Sequence, residues 1–316
     1  ITMTNSSSGA YTLSGGAGVD NLTGGSGADI LTGAGGNDVL IGGSGADTIN
    51  GGADNDALTG GADNDSLTGG AGNDTFNVDS GTDTITDLSN GDVLNVSSGA
   101  TATITNVTSF TATASSANSG TVTISTDNSS GGTVDMSSAS GNYTLSGQGS
   151  IDTLTGGGGN DIISGGSGAD ALSGGSGNDT ITGGVDNDNM TGGAGNDTFK
   201  VDSGTDTITD LSTGDILVVS SGAIANATNI SAFDATGSTS NSGTANLTAT
   251  NSGGSIDVGD STTGAYNLTG LAGADTLKGN SNNDTINAGS GNDTIDGRGG
   301  NDIINAGAGD DIITGG

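Results

Sequence analysis

The chain has 316 residues, with 36 acidic residues against 3 basic ones and a net charge of −33. Every acid is Asp, 65 residues are Gly, and Glu, His, Cys, Pro and Trp are absent, which removes disulfides, thiolate sites and imidazole chemistry. With Lys200, Lys278 and Arg298 as the only cations, a nucleic-acid backbone would be repelled, and no apolar run approaches the ~18 residues of a membrane span.

Low aromatic content with high net charge is, by itself, the composition of a disordered chain. Periodicity argues against that reading, element by element. Residues 1–10 read as the tail of a spacer, because 1–11 and 256–266 are alike. Residues 11–95 are a first array. From Gly15 it runs GGAGVDNLT, GGSGADILT, GAGGNDVLI, GGSGADTIN, GGADNDALT, GGADNDSLT, GGAGNDTFN. Its aspartates recur every nine residues at Asp20, Asp29, Asp38, Asp47, Asp56, Asp65, Asp74, Asp83 and Asp92.

Residues 96–142 form a spacer rich in Ser, Thr, Ala and Asn. Short alternating runs such as TVTIS at 121–125 predict strands there, either calcium-free solenoid rungs or a small β-insert, with a flexible linker as the competing reading. A second array, 143–218, carries Asp152, Asp161, Asp170, Asp179, Asp188, Asp197, Asp206 and Asp215. A second spacer, 219–265, leads to a third array, 266–316, with Asp275, Asp284, Asp293, Asp302 and Asp311. Thus 22 of the 36 acids share one phase, and two places after each stands a large apolar residue. The segment at 76–100 recurs at 199–223 with 21 of 25 positions identical, so a larger module overlies the nonapeptide.

These units fit G-G-x-G-x-D-x-U-x, with U large and apolar, and in this the chain resembles the RTX (repeats-in-toxin) family of haemolysin-type calcium-binding proteins. The resemblance implies an all-β fold: a right-handed parallel β-roll, or β-solenoid, with two nonapeptides per coil and calcium held between coils on each edge. The residues agree with it. The x-U-x triplet suits a short strand with its middle side chain inward, and the glycine-rich half allows a sharp turn. Asp supplies the hard oxygen that calcium prefers. All 22 phased aspartates are the candidate ligands, and the turn count predicts roughly 12–16 ions.

Several turns depart from the pattern. Asp54, Asp63 and Asp186 replace the fourth-position glycine, which adds either a ligand or only charge. The turns at Asp83, Asp92, Asp206 and Asp215 lack the glycine pair, and Asn280 and Asn282 weaken the one before Asp284. Chain folding is expected to need calcium, because neighbouring aspartates repel one another until a cation lies between them.

The expected role is structural: part of an extracellular bacterial filament, surface (S-) layer or adhesin stalk, self-associating, with no nucleic-acid partner. The family resemblance implies type I secretion and folding outside the cell. The alternatives are a calcium-dependent carbohydrate- or ice-binding module, or the repeat domain of a larger toxin or enzyme. Catalysis by this chain is not expected, since the carboxylate pairs are absorbed by the ladder and no pocket-forming aromatics accompany them. Without an initiator Met or a terminal cap, the pattern predicts a slice of a longer repetitive protein or a subunit stacked end to end.

Overall fold

A computed structural model describes residues 2–4 and 9–316, and every regular element among them is a β-strand. Residues 1 and 5–8 of the spacer tail expected at 1–10 lie outside the described residues; the described part includes the strand Thr2–Thr4, which pairs with Asn21–Thr23. Two compact units divide the chain, Ile1–Asp161 and Ile162–Gly316. Each is a parallel β-solenoid.

In the first unit, each nonapeptide supplies one strand and one turn, so two of them complete a coil. Asn21–Ser26 therefore pairs not with the next strand in sequence but with Val39–Ser44, with Leu22 opposite Leu40, eighteen residues on. Ile30–Gly35, half a coil away, pairs with Thr48–Ala53, with Leu31 opposite Ile49. Inward columns follow: Leu22, Leu40, Leu58, Phe76 and Leu94 on one side, and Leu31, Ile49, Leu67 and Ile85 on the other. All are buried. The neighbours of each, such as Thr48 and Asn50, face water, as a strand's alternation requires.

The strands are longer than the x-U-x triplet. In this array they run on through the glycine pair, as in Asn21–Ser26, whose first glycine, Gly24, is the second buried position of the strand. The second glycine then turns the chain with a positive φ, +117° at Gly25 and +113° at Gly43.

The segment 96–142 is also built of parallel rungs. The column Ile85, Ile104, Ile124, Leu145 continues without a break, but its spacings grow from 19 to 20 to 21 residues. A further short strand, Ser109–Thr111, pairs with Thr133–Asp135, placing Phe110 on Val134 twenty-four residues ahead. Longer rungs take the segment out of the nine-residue phase. They also replace the Asp–Gly interior of the arrays with apolar residues at successive inward positions: Ala102 and Ile104, then Val122 and Ile124.

The second unit repeats these features. Ile163, Ile181, Phe199 and Leu217 form one inward column at eighteen-residue spacing. Another runs Leu172, Met190, Ile208, then through the spacer at Ala227, Leu247 and Leu268, and on to Ile286 and Ile304. Its spacer intervals are again 19, 20 and 21 residues. Phe233, the counterpart of Phe110, stacks on Ile256 and then Leu277.

Candidate metal centres

The phased aspartates point inward from the turns. Those from Asp20 to Asp92, Asp152 to Asp215, and Asp275 to Asp293 are buried, while Asp302 and Asp311 in the last coils are half-buried. Stacking fixes one carboxylate oxygen. The backbone N–H of Asp38 donates to Oδ1 of Asp56 at 2.8 Å, and that of Asp47 to Oδ1 of Asp65 at 2.8 Å. The same bond recurs from Asp170 to Asp188 at 2.9 Å and from Asp275 to Asp293 at 2.9 Å. At the start of each ladder a tyrosine takes the donor's place: the N–H groups of Tyr11, Tyr143 and Tyr266 donate to Asp29, Asp161 and Asp284.

The second oxygen is the informative one. Oδ2 of Asp29, Asp38, Asp47, Asp56, Asp65 and Asp83 is buried without a hydrogen-bond partner, and so is that of Asp188, Asp206, Asp275, Asp293 and Asp302. A buried carboxylate oxygen left this way calls for a cation.

The first glycine of each turn keeps space open beside that oxygen. A β-carbon on Gly24 would lie 2.6 Å from the Gly42 carbonyl oxygen of the next coil and closer still to Asp29 Oδ2. At Gly33 the same collision would involve Asp38 Oδ2 and Gly51 O, and at Gly174 Asp179 Oδ2 and Gly192 O. Carboxylate and carbonyl oxygens thus converge on a space that only glycine leaves free. Such a hard, all-oxygen donor set suits calcium. Among the described residues no three acidic side chains gather as one metal cluster, so backbone carbonyls must complete any coordination shell.

The departures from the pattern separate into groups. Both oxygens of Asp92 are engaged, Oδ1 by the Asp74 N–H and Oδ2 by the Ser89 N–H at 2.8 Å and hydroxyl at 3.2 Å. Asp215 repeats this with Asp197 and Ser212. Oδ2 of Asp284 accepts the backbone N–H of Asn280, which stands where the second glycine usually does, at 2.7 Å. Asp54 and Asp63 face outward at φ of +76° and +80°, and each accepts a backbone N–H from the preceding coil, Gly36 and Gly45 respectively, at 3.1 Å.

Burial pushes Asp56, Asp65, Asp83, Asp188, Asp197 and Asp206 upward, reinforced by neighbouring like charges and opposed by the N–H bonds they accept. Asp65 and Asp206 are raised to about 7, and Asp56, Asp83, Asp188 and Asp197 to about 6. A raised carboxyl means that the folded chain takes up protons that the unfolded chain releases, so metal-free stability grows as pH falls from about 7 toward 4. Strand content in EDTA should therefore be higher at pH 5 than at pH 8, while calcium affinity falls over the same window. Circular dichroism in chelator that did not change between those pH values would contradict this.

Fold and ladder together define a parallel β-solenoid lined with inward carboxylates, a class suited to holding metal ions. The model of the RTX calcium-binding nonapeptide repeat (four copies) matches residues 14–49, 50–85, 140–172, 173–208, 263–295 and 288–316. These segments cover more than half of the chain, and the chain belongs to that family. Its repeats bind calcium at multiple sites. No curated protein matches the chain.

Proposed function

We propose that this calcium-binding repeat protein is a structural segment of an extracellular bacterial filament, surface layer or adhesin stalk. It is exported by type I secretion as a calcium-poor polyanion and folds when it meets calcium outside the cell. The observation that carries this reading is the modular register. Both units pass from eighteen-residue coils through rungs of 19, 20 and 21 residues, with parallel pairing maintained throughout. Such a chain lengthens by whole coils without redesign of its core, which is what a stalk or lattice strut requires. The 22 phased aspartates serve as calcium ligands in this reading, with the exceptions argued below.

Negative-stain electron microscopy of the purified chain, with calcium and then with EDTA, tests the assembly. Filaments or sheets that dissolve in chelator are expected. Monodisperse monomers at high concentration in calcium would favour a monomeric binding module instead.

A further inference from the structure

The two edges of a ladder do not end alike. On one edge of the first array the last phased aspartate is Asp83. Its turn has Val78 at the position of the first glycine, and the Val78 side chain is buried. One coil earlier, a β-carbon on Gly60 would meet Asp65 Oδ2 first and Asp83 Oδ2 next, the latter at 3.0 Å. In the inner turns the second oxygen at that point is a glycine carbonyl; here it is a second carboxylate. Both oxygens are buried and unpartnered, and the two residues are 3 % and 0 % exposed. The second unit repeats the arrangement. A β-carbon on Gly183 would lie 2.5 Å from Asp188 Oδ2 and 3.0 Å from Asp206 Oδ2, both again without hydrogen-bond partners.

The other edge ends at Asp92, and there the turn is closed. Leu88 stands where the second glycine belongs, and its side chain is buried in the turn. Ser89 holds Asp92 Oδ2, as described above. Asp87, at the first-glycine position, turns its carboxylate back onto the preceding turn: Oδ1 accepts the Gly69 N–H at 2.9 Å and Oδ2 the Gly70 N–H at 2.7 Å. Leu211, Ser212 and Asp210 do the same around Asp215, with Asp210 accepting from Gly192 and Gly193 at 2.9 and 2.7 Å.

We infer that each of the first two ladders ends on one edge in a calcium site built on two carboxylates, Asp65 with Asp83 and Asp188 with Asp206, and on the other in a turn that excludes calcium, at Asp92 and Asp215. The inference rests on the calcium-ladder reading and refines it residue by residue. Asp83 and Asp206 supply the oxygen that the missing glycine turn no longer offers. Both oxygens of Asp92 and of Asp215 are instead held by hydrogen bonds, and a leucine fills the space beside them. The terminating leucine and serine hand the solenoid from metal-held coils to apolar rungs, because the next inward residues are Leu94 and Val96 in one unit and Leu217 and Val219 in the other.

Counting bound calcium on the full chain, by native mass spectrometry or elemental analysis at saturation, tests both halves. D83N/D206N should bind two ions fewer than the unmodified chain, and D92N/D215N the same number as the unmodified chain. An unchanged count in the first pair, or a loss of two in the second, overturns the inference. An unmodified chain that binds no calcium would instead sink the ladder reading itself. Should D83N/D206N fail to fold, crystals of the unmodified chain loaded with terbium decide the matter. Anomalous density between Asp65 and Asp83, with none beside Asp92, is expected; the reverse pattern refutes the assignment.

Discussion

Chelating calcium at neutral pH should convert the far-UV circular dichroism of the full chain from β-sheet to coil, and millimolar calcium should restore it. The buried Oδ2 atoms set the size of the effect. Each unpartnered polar atom costs about 1–3 kcal/mol, and more where it carries charge, so half a dozen such oxygens already outweigh the ~5–15 kcal/mol by which a domain is usually stable. Asp38, Asp47, Asp56, Asp65, Asp188 and Asp293 are half a dozen. Repulsion adds to this. Equivalent carboxylates on neighbouring coils are about 4.8 Å apart, where each pair costs roughly 1 kcal/mol in water and several times more at lower effective dielectric. Calcium removes both penalties and supplies coordination energy, so binding and folding become a single equilibrium. A spectrum that stayed β-rich in EDTA at pH 7–8 would defeat this account.

Local features of the molecule are legible in its sequence. A phased Asp with an apolar residue two places on is a local pattern, and stacking identical nonapeptides leaves little choice of register. Leu22 on Leu40 and Asp56 on Asp38 follow once two units make a coil. Long-range substitutions are another matter. Asp87 looks like a stray acid until the coil places it against Gly69 and Gly70, eighteen and seventeen residues back. Asp257 likewise gains its meaning only through stacking, as the shared partner of Lys278 at 3.1 Å and Arg298 at 2.9 Å. The spacers hid their pairing because their spacings change at every rung, so no fixed period exists to detect. The strand extension through Gly24 and Gly25 was hidden for another reason: glycine has no side chain to signal which way it faces.

Phe110→Ala should destabilise the first spacer by about 3–5 kcal/mol, and saturating calcium should not rescue it. Phe110 is fully buried on Val134, which in turn lies on Leu154. The rungs between 101 and 126 present inward Ala102, Ile104, Val122 and Ile124, with no carboxylate for calcium to hold. Their stability is therefore apolar packing and the strand ladder rather than metal, and the loss of a phenyl ring leaves a cavity that no ion can fill. Solenoid coils contact only their neighbours, so the damage should stay local. Limited proteolysis in calcium, with cut sites mapped by mass spectrometry, should show new cleavage within 96–142 and an intact first array. Thr111→Ala, the next residue on the same strand but exposed, is the control and should move stability by no more than about 0.5 kcal/mol. Should Phe110→Ala instead release calcium from the array and open it to protease, the spacer and ladder would share one cooperative unit. The division of labour argued here, with metal holding the coils and apolar side chains holding the rungs, would then fail.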